Sequence, residues 1–254
     1  MPLLLDSHCH LDRYEDPTGV ATDAARRDVF TVAVTNLPSH FRLGAPHVKE
    51  LRRVRLALGL HPLIKDVPEQ EFKLFAELLD ETSYVGEVGV DLSREGRPTG
   101  GLQVARFERV LSLIGKKRKV ISLHSRGADQ VVLDLVTAHG IPGAVFHWYS
   151  GSLAVLEQIL AAGHYLSVNP AMTTSAKGQE IIQLIPKERV LTESDGPHAK
   201  DGKRPLKPWD VAIAVQFLAQ TWKLTADEVA GIIWENFNRL LHRVRNDHAS
   251  VPLA

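Results

Sequence analysis

Cysteine is almost missing from this chain. Cys9 is the only one in 254 residues, so no internal disulfide can form and a reducing cytosol is the expected compartment. Charge of one sign is not in excess either. Thirty Lys and Arg balance thirty Asp and Glu, which excludes a global positive field and makes any polyanion site local. No apolar run approaches the ~18 residues of a membrane span, so no membrane partner is expected. The start lacks a basic stretch followed by an apolar one, and no secretory signal is expected. No Gly-x-Gly-x-x-Gly follows the first apolar run, which leaves dinucleotide binding without support. Low-complexity linkers and breaks in composition are also absent, so residues 1–254 read as one domain.

What is present begins with His8-Cys9-His10, directly after Leu3-Leu4-Leu5. In an extended strand, residues two apart share a face, so both imidazoles project together from the strand's end. Imidazole is the commonest metal ligand among side chains.

Eight short apolar runs recur along the chain and predict eight strands: Leu3–Asp6, Phe30–Thr35, Val54–Leu58, Tyr84–Val88, Val120–Leu123, Ala144–Phe146, His164–Val168 and Arg189–Thr192. Their continuous Val, Ile and Leu content suits parallel strands buried on both faces. Between them, Glu69–Glu81, Gly101–Lys116, Ala128–His139 and Leu153–Ala162 carry apolar residues at helical spacing, with Gly140 and Gly163 as C-terminal caps. Lys207–Arg245 reads as two or three closing helices, with Thr225 capping the last. The expected fold class is α/β, a (β/α)8 TIM-like barrel, with a doubly wound open sheet as the alternative.

Ligand-type residues fall at the C-terminal ends of these strands, where an α/β barrel builds its active site. They are His8, His10, Glu87, His124, His147 and Asp195. A carboxylate such as Glu87, inside an apolar, glycine-flanked run, is costly to bury unless paired or metal-bound. Four imidazoles and two carboxylates exceed the needs of one tetrahedral ion. Two divalent ions per chain fit better, with Glu87 as the bridge, His8, His10 and Asp195 on one ion, and His124 and His147 on the other. Nitrogen-rich ligation favours Zn, Mn, Co or Fe on softness; Zn, Mn and Mg are the leading candidates. Hydrolysis is the default chemistry of such a pair.

These residues lie in segments that resemble the TatD family of metal-dependent deoxyribonucleases, within the amidohydrolase-like barrels. The segments are Asp6-Ser7-His8-Cys9-His10-Leu11-Asp12, Gly59-Leu60-His61-Pro62, Gly86-Glu87-Val88-Gly89-Val90-Asp91, His124-Ser125-Arg126, His147-Trp148-Tyr149-Ser150-Gly151 and Glu193-Ser194-Asp195-Gly196-Pro197, followed by a closing Asn236-Phe237-Asn238-Arg239 helix. Tyr84-Val85-Gly86-Glu87, His147 to Ser152, Ser167-Val168-Asn169-Pro170-Ala171-Met172 and Leu191 to Pro197 are similar to the TatD-like member of the Qat anti-phage defence systems. Leu92-Ser93 departs from the aromatic residue that many members carry after this aspartate, and Trp148 replaces a smaller residue.

The resemblance implies the six residues above as metal ligands, with Glu87, Asp195 and His61 as the catalytic set. It places His61 on the rim near the scissile phosphate and Arg126 against phosphate. It lets Asp195 orient or deprotonate the attacking water. It also implies a nucleic acid substrate, DNA or RNA, and other Qat proteins as partners.

Two basic stretches compete for a phosphate backbone. Lys116-Lys117-Arg118-Lys119 precedes the strand ending at His124, so it lies on the face opposite the active site and reads as a solvated loop. Lys200, Lys203, Arg204 and Lys207 follow the eighth strand on the catalytic face and are the expected phosphate contacts. Trp148 and Tyr149 offer stacking surfaces for a base, with core packing as the alternative for at least one. The remaining functional alternatives are a hydrolase of a small ester, amide or phosphate compound, and a non-catalytic module of a defence complex.

Overall fold

The apolar runs form parallel strands whose residues are buried on both faces, as continuous Val, Ile and Leu require. In the computed structural model, which describes residues 3–246, they are β1 (Leu4–Cys9), β2 (Val29–Ala33), β3 (Val54–Leu56), β4 (Leu58–Leu60), β5 (Tyr84–Gly89), β6 (Val120–His124), β7 (Ala144–Phe146), β8 (Tyr165–Val168) and β9 (Val190–Thr192). The expected domain span of 1–254 therefore reaches past the described residues at both ends. β1, β2 and β3 pair in parallel, and β4 to β9 pair in parallel in chain order.

β3 and β4 are two halves of one stave, broken at Ala57. The Thr35 hydroxyl spans the break: it donates to Ala57 O at 2.9 Å and accepts from Gly59 N at 3.0 Å. β9 meets β1 mainly through side chains. Ser7 Oγ donates to Thr192 O at 2.9 Å, and Ser194 donates from its hydroxyl and its amide to the buried Asp6 carboxylate at 2.6 and 2.9 Å. The eight staves thus close into the α/β barrel expected from their rhythm. β1 extends three residues past the predicted strand, because Cys9 O accepts from Val34 N at 2.9 Å and keeps the chain paired. His8 consequently sits on the strand, and His10 just beyond it.

Four predicted helices form as α3 (Glu69–Leu78), α4 (Gly100–Ile114), α5 (Asp129–Ala138) and α6 (Leu153–Ala161). Gly140 and Gly163 follow α5 and α6 with positive φ of 62° and 83°. The tail folds as α9 (Val211–Trp222) and α10 (Ala226–Asn246). Thr225 and Glu228 form a reciprocal cap, with Thr225 N donating to Glu228 Oε2 at 2.8 Å and Glu228 N to Thr225 Oγ1 at 3.3 Å.

Four further helices carry no clean apolar period and escaped prediction: α1 (Pro17–Arg26), α2 (Pro38–Val48), α7 (Pro170–Thr174) and α8 (Ala176–Leu184). Three of them begin on proline, whose fixed φ suits a first turn. A small antiparallel hairpin, β10 (Lys200–Asp201) with β11 (Arg204–Pro205), was also unforeseen.

The Lys116–Lys119 run precedes β6, at the N-terminal end of the barrel as expected, but it is only partly solvated. Lys119 is buried and its Nζ donates to Leu79 O and Thr82 O at 2.5 and 2.6 Å, while Lys117 pairs with Asp80. No described helix is long and apolar enough to cross a membrane.

Candidate metal centre

Glu87 is the hub of the C-terminal mouth. It stands near the end of β5 between Gly86 and Gly89, and the strand needs both glycines. A Cβ at Gly89 would lie 2.0 Å from His124 O, and one at Gly86 would lie 2.9 Å from Ser122 Cβ, so β6 could not approach. The Glu87 carboxylate is buried, and its two oxygens face different groups. Oε2 lies 3.1 Å from His10 Nε2 and 3.5 Å from His8 Nε2, with His61 Nε2 at 3.4 Å. Oε1 lies 2.5 Å from His124 Nδ1 and 2.9 Å from His147 Nε2.

Asp195 completes the first group, its Oδ1 being 3.6 Å from both His8 Nε2 and His10 Nε2. Its backbone amide donates to His8 O at 3.0 Å, which ties the end of β9 to β1. Asp195 and Trp148 hold left-handed φ values of 45° and 36°, a conformation costing a non-glycine residue about 1–2 kcal/mol. Such strain clusters where a site fixes its geometry. All six expected ligands therefore meet around one carboxylate.

The electrostatics follow from that crowding. Burial opposes the charge on Glu87, yet His61, His147 and His124 hold its carboxyl well below the usual range. Burial pushes the Asp195 carboxyl up to about 7. Burial, then the neighbouring His147, drives His8 well below its ordinary value. For His10, His124 and His147 burial also works against charge, but Glu87 and the other carboxylates win and raise all three.

The donor set fits divalent cations. His8 Nε2 and His10 Nε2 face each other at 3.3 Å, beside carboxylate oxygens. At most one proton can lie between two imidazole nitrogens, so this crowd of electron pairs is short of hydrogen-bond donors. The far sides of two of the rings explain their aim, whereas His10 Nδ1 and His147 Nδ1 make no hydrogen bond. His124 Nε2 is 2.7 Å from Asp91 Oδ2, and His8 Nδ1 is 2.8 Å from Ser122 Oγ. A proton held on the outer nitrogen leaves the inner lone pair for a metal, the usual arrangement of an outer partner, a histidine and an ion. His61 is turned the other way: its Nδ1 accepts from Leu63 N at 3.1 Å, so its proton sits on Nε2 and faces Glu87. The His8 and His147 rings stack at 3.9 Å with 9° between planes, which packs the two groups together.

Glu87, Asp195, His10, His61, His124 and His147, but not the fully buried His8, open into a cavity of about 510 Å³, which Arg126, Trp148, Asn36 and His198 also line. Arg126 is exposed on its wall. The Trp148 backbone amide donates to the buried Glu193 at 2.9 Å, which anchors the chain where Trp148 lines the mouth. Tyr149 instead joins the core, its hydroxyl donating to Ser152 O at 2.7 Å. Lys203 and Arg204 do not line the cavity. They belong to the β10–β11 turn, where the Arg204 guanidinium is engaged by Asp210 at 2.7 Å and Asp201 at 3.6 Å.

Sequence reasoning missed four contributors. Asp91 closes the Gly86–Asp91 motif, yet nothing in the motif alone gave it a role. Ser122 is an ordinary strand residue with no signal of its own. Asn36 has a buried Oδ1 without a partner. His198 places its ring 4.6 Å from that of His10; its position three residues after Asp195 was the available clue.

Comparison with known proteins agrees with this geometry. The family described as "TatD related DNase" matches residues 5–242. Deoxyribonuclease TATDN3 of Homo sapiens is 24% identical over 96% of this chain and 96% of its own length. An uncharacterized metal-dependent hydrolase TatD of Mycobacterium tuberculosis is 29% identical over 93% and 97%. Among solved structures, the TatD homolog YJJV of Escherichia coli superposes with a TM-score of 0.84 at 24% identity, covering 93% of this chain and 97% of that one. A dihydroorotase from Campylobacter jejuni shares the barrel at a TM-score of 0.61 and 13% identity, covering 100% of this chain and 85% of that one.

Proposed function

The chain belongs to the TatD-related DNase family and is a metal-dependent hydrolase of that type, and on that premise we propose that it cleaves phosphodiester bonds of DNA at the C-terminal mouth of its barrel. The observation that carries the proposal is the placement of four imidazoles and Asp195 around the two oxygens of one buried carboxylate. His8, His10 and Asp195, whose ligand atoms cluster, would hold one divalent ion; His124 and His147, whose ring nitrogens lie 3.5 Å apart beside Glu87 Oε1, would hold a second. When bound, such ions supply Lewis acidity that stabilises charge on a phosphoryl oxygen and makes water a better nucleophile near neutral pH.

The chain's own groups do the remaining work in this reading. Arg126, exposed on the cavity wall, pairs bidentately with a backbone phosphate. Trp148 stacks a base beside the reacting centre. His61 presents its Nε2 proton at the rim, and Asp195 orients or deprotonates the attacking water. Lys203 is left as an outer phosphate contact, because Asp210 and Asp201 already engage Arg204. A single catalytic domain is part of the same proposal.

A role in anti-phage defence, with other Qat proteins as partners, rests on the Tyr84–Glu87, His147–Ser152, Ser167–Met172 and Leu191–Pro197 segments alone. Incubating the purified protein with labelled single-stranded and duplex DNA tests the activity. Cleavage that needs a divalent ion and stops with chelator is expected; chelator-insensitive cutting, or cutting of small esters and amides only, overturns it. The defence role predicts that Glu87→Ala abolishes protection in a phage plating assay, and retained protection removes it.

A further inference from the structure

The opposite end of the barrel holds an open depression of about 1370 Å³. Its floor is made by the first residues of staves: Phe30 of β2, Val54 of β3, Tyr84 of β5 and Val120 of β6. This is the N-terminal mouth, remote from Glu87. α10 supplies one wall, with Trp234 and Phe237 each 5.5 Å from the Phe30 ring.

The rim is basic. Arg42, Lys49, Arg52, Arg55, Arg118 and Arg245 line the depression, and Glu81 is the one carboxylate among the described lining residues. That ratio stands out in a chain whose charges cancel. Among the described residues, the side chains of Arg42, Lys49, Arg52 and Arg118 make no hydrogen bond or ion pair, and all four residues are exposed. Within the Lys116–Lys119 run, Asp80 engages Lys117 and backbone carbonyls hold Lys119, while Arg118 is left to the rim.

These cations come from α2, the loop after it, β3, the loop before β6 and the end of α10. Drawn from five places around a mouth, they suit an extended anion better than a single phosphate. The volume also exceeds the ~300–1,000 Å³ typical of small-molecule pockets. A basic rim over aromatic and apolar side chains is the surface that binds single-stranded nucleic acid, phosphates to the cations and bases to the apolar floor.

We propose that the N-terminal mouth is a second binding site for single-stranded nucleic acid, separate from the catalytic cavity. It holds a strand while the opposite mouth acts on another segment or another strand. The choice of ligand rests on the nuclease reading; the existence of an anion site does not.

The test is fluorescence anisotropy of a labelled oligothymidylate of roughly 20 nucleotides, with the full chain kept in chelator so that nothing is cut. Arg42→Glu, Arg52→Glu and Arg118→Glu combined are expected to weaken binding on the order of tenfold and to flatten the salt dependence by about 2 in log–log slope. The milder triple Arg→Gln variant falls between it and the wild type. Unchanged affinity and slope in both variants overturn the proposal. Displacement by polyglutamate as effectively as by unlabelled strand overturns the choice of nucleic acid in favour of an acidic protein. Rim-dependent binding with no cleavage under any divalent ion leaves this site standing and removes the nuclease reading.

Discussion

The two mouths of this barrel hold charge in opposite ways. At the C-terminal mouth, carboxylates and imidazoles are buried and converge on Glu87, each within 4 Å of a partner. At the N-terminal mouth, cations of one sign ring an apolar floor, and four of them stand exposed and unpaired. Burying a charge is expensive unless it is compensated, so the first arrangement persists only as a balanced cluster with room for cations. The second keeps its water and acts at a distance, within the Debye length of about 8 Å at physiological salt. One mouth is built for chemistry at fixed positions, the other for attraction. A net charge of zero conceals both.

The largest expected effect breaks the two apart. Glu87→Gln removes the carboxylate that both ligand groups share, and DNA cleavage falls at least on the order of 10³-fold. The same variant keeps its wild-type affinity for a single strand in chelator. A parallel loss of binding would show that the strand enters through the catalytic cavity and that the mouths do not work separately.

The catalytic mouth is written plainly in the order of the residues; the basic one is not. The staves were legible because parallel strands buried on both faces leave uninterrupted apolar runs, and the ligands because they follow those runs. The Glu87 position was legible because a carboxylate between glycines in a core strand has to be paired or metal-bound to stay there. What stayed hidden was set by tertiary approach. Ser122 is an unremarkable strand residue until β6 brings it 2.8 Å from His8. Arg204 looked free until the chain folded back on Asp210. The N-terminal mouth was invisible because its cations are spread from residue 42 to residue 245, and only Arg118 lay in a recognisable run. α1 and α2 were missed because proline and glycine dilute their apolar period.

A second prediction sharpens the contrast through histidine. At the foot of β8, His164 is buried, and its Nδ1 accepts from Ala144 N at 3.2 Å. Burial, and after it Arg243 and Arg189, lower its pKa from 6.5 to about 4. At the other mouth, carboxylates raise His10, His124 and His147. With His164 the unfolded chain takes up a proton below 6.5 while the folded chain stays neutral until about 4. Its contribution is therefore intact above 6.5 and is lost as pH falls to about 4, by roughly 3 kcal/mol. Urea unfolding across that interval should show His164→Gln to be less pH-sensitive than the wild type. Parallel curves would mean that His164 protonates freely in the folded state.

Metal addition should register at one mouth only. Saturation at 100-fold over the dissociation constant stabilises the folded chain by about 2.7 kcal/mol, a rise of roughly 5–10 °C in Tm at this size. Glu87→Ala, which removes the carboxylate both ligand groups share, abolishes the rise, and the Arg42, Arg52 and Arg118 variants retain it in full. A rise that survives Glu87→Ala would place the ions elsewhere.

The smallest effect separates the two supports of His8. Its Nδ1 is 2.8 Å from Ser122 Oγ, while its ring lies flat against His147 at 3.9 Å. If the hydrogen bond aims the lone pair, Ser122→Ala lowers metal affinity about 10–100-fold. The unliganded chain loses only about 1 kcal/mol with that bond. Competition with a chromophoric chelator measures the first quantity and urea unfolding the second. Unchanged metal affinity would assign the orientation of His8 to the stacked rings, and the hydrogen bond would then serve the buried hydroxyl rather than the ion.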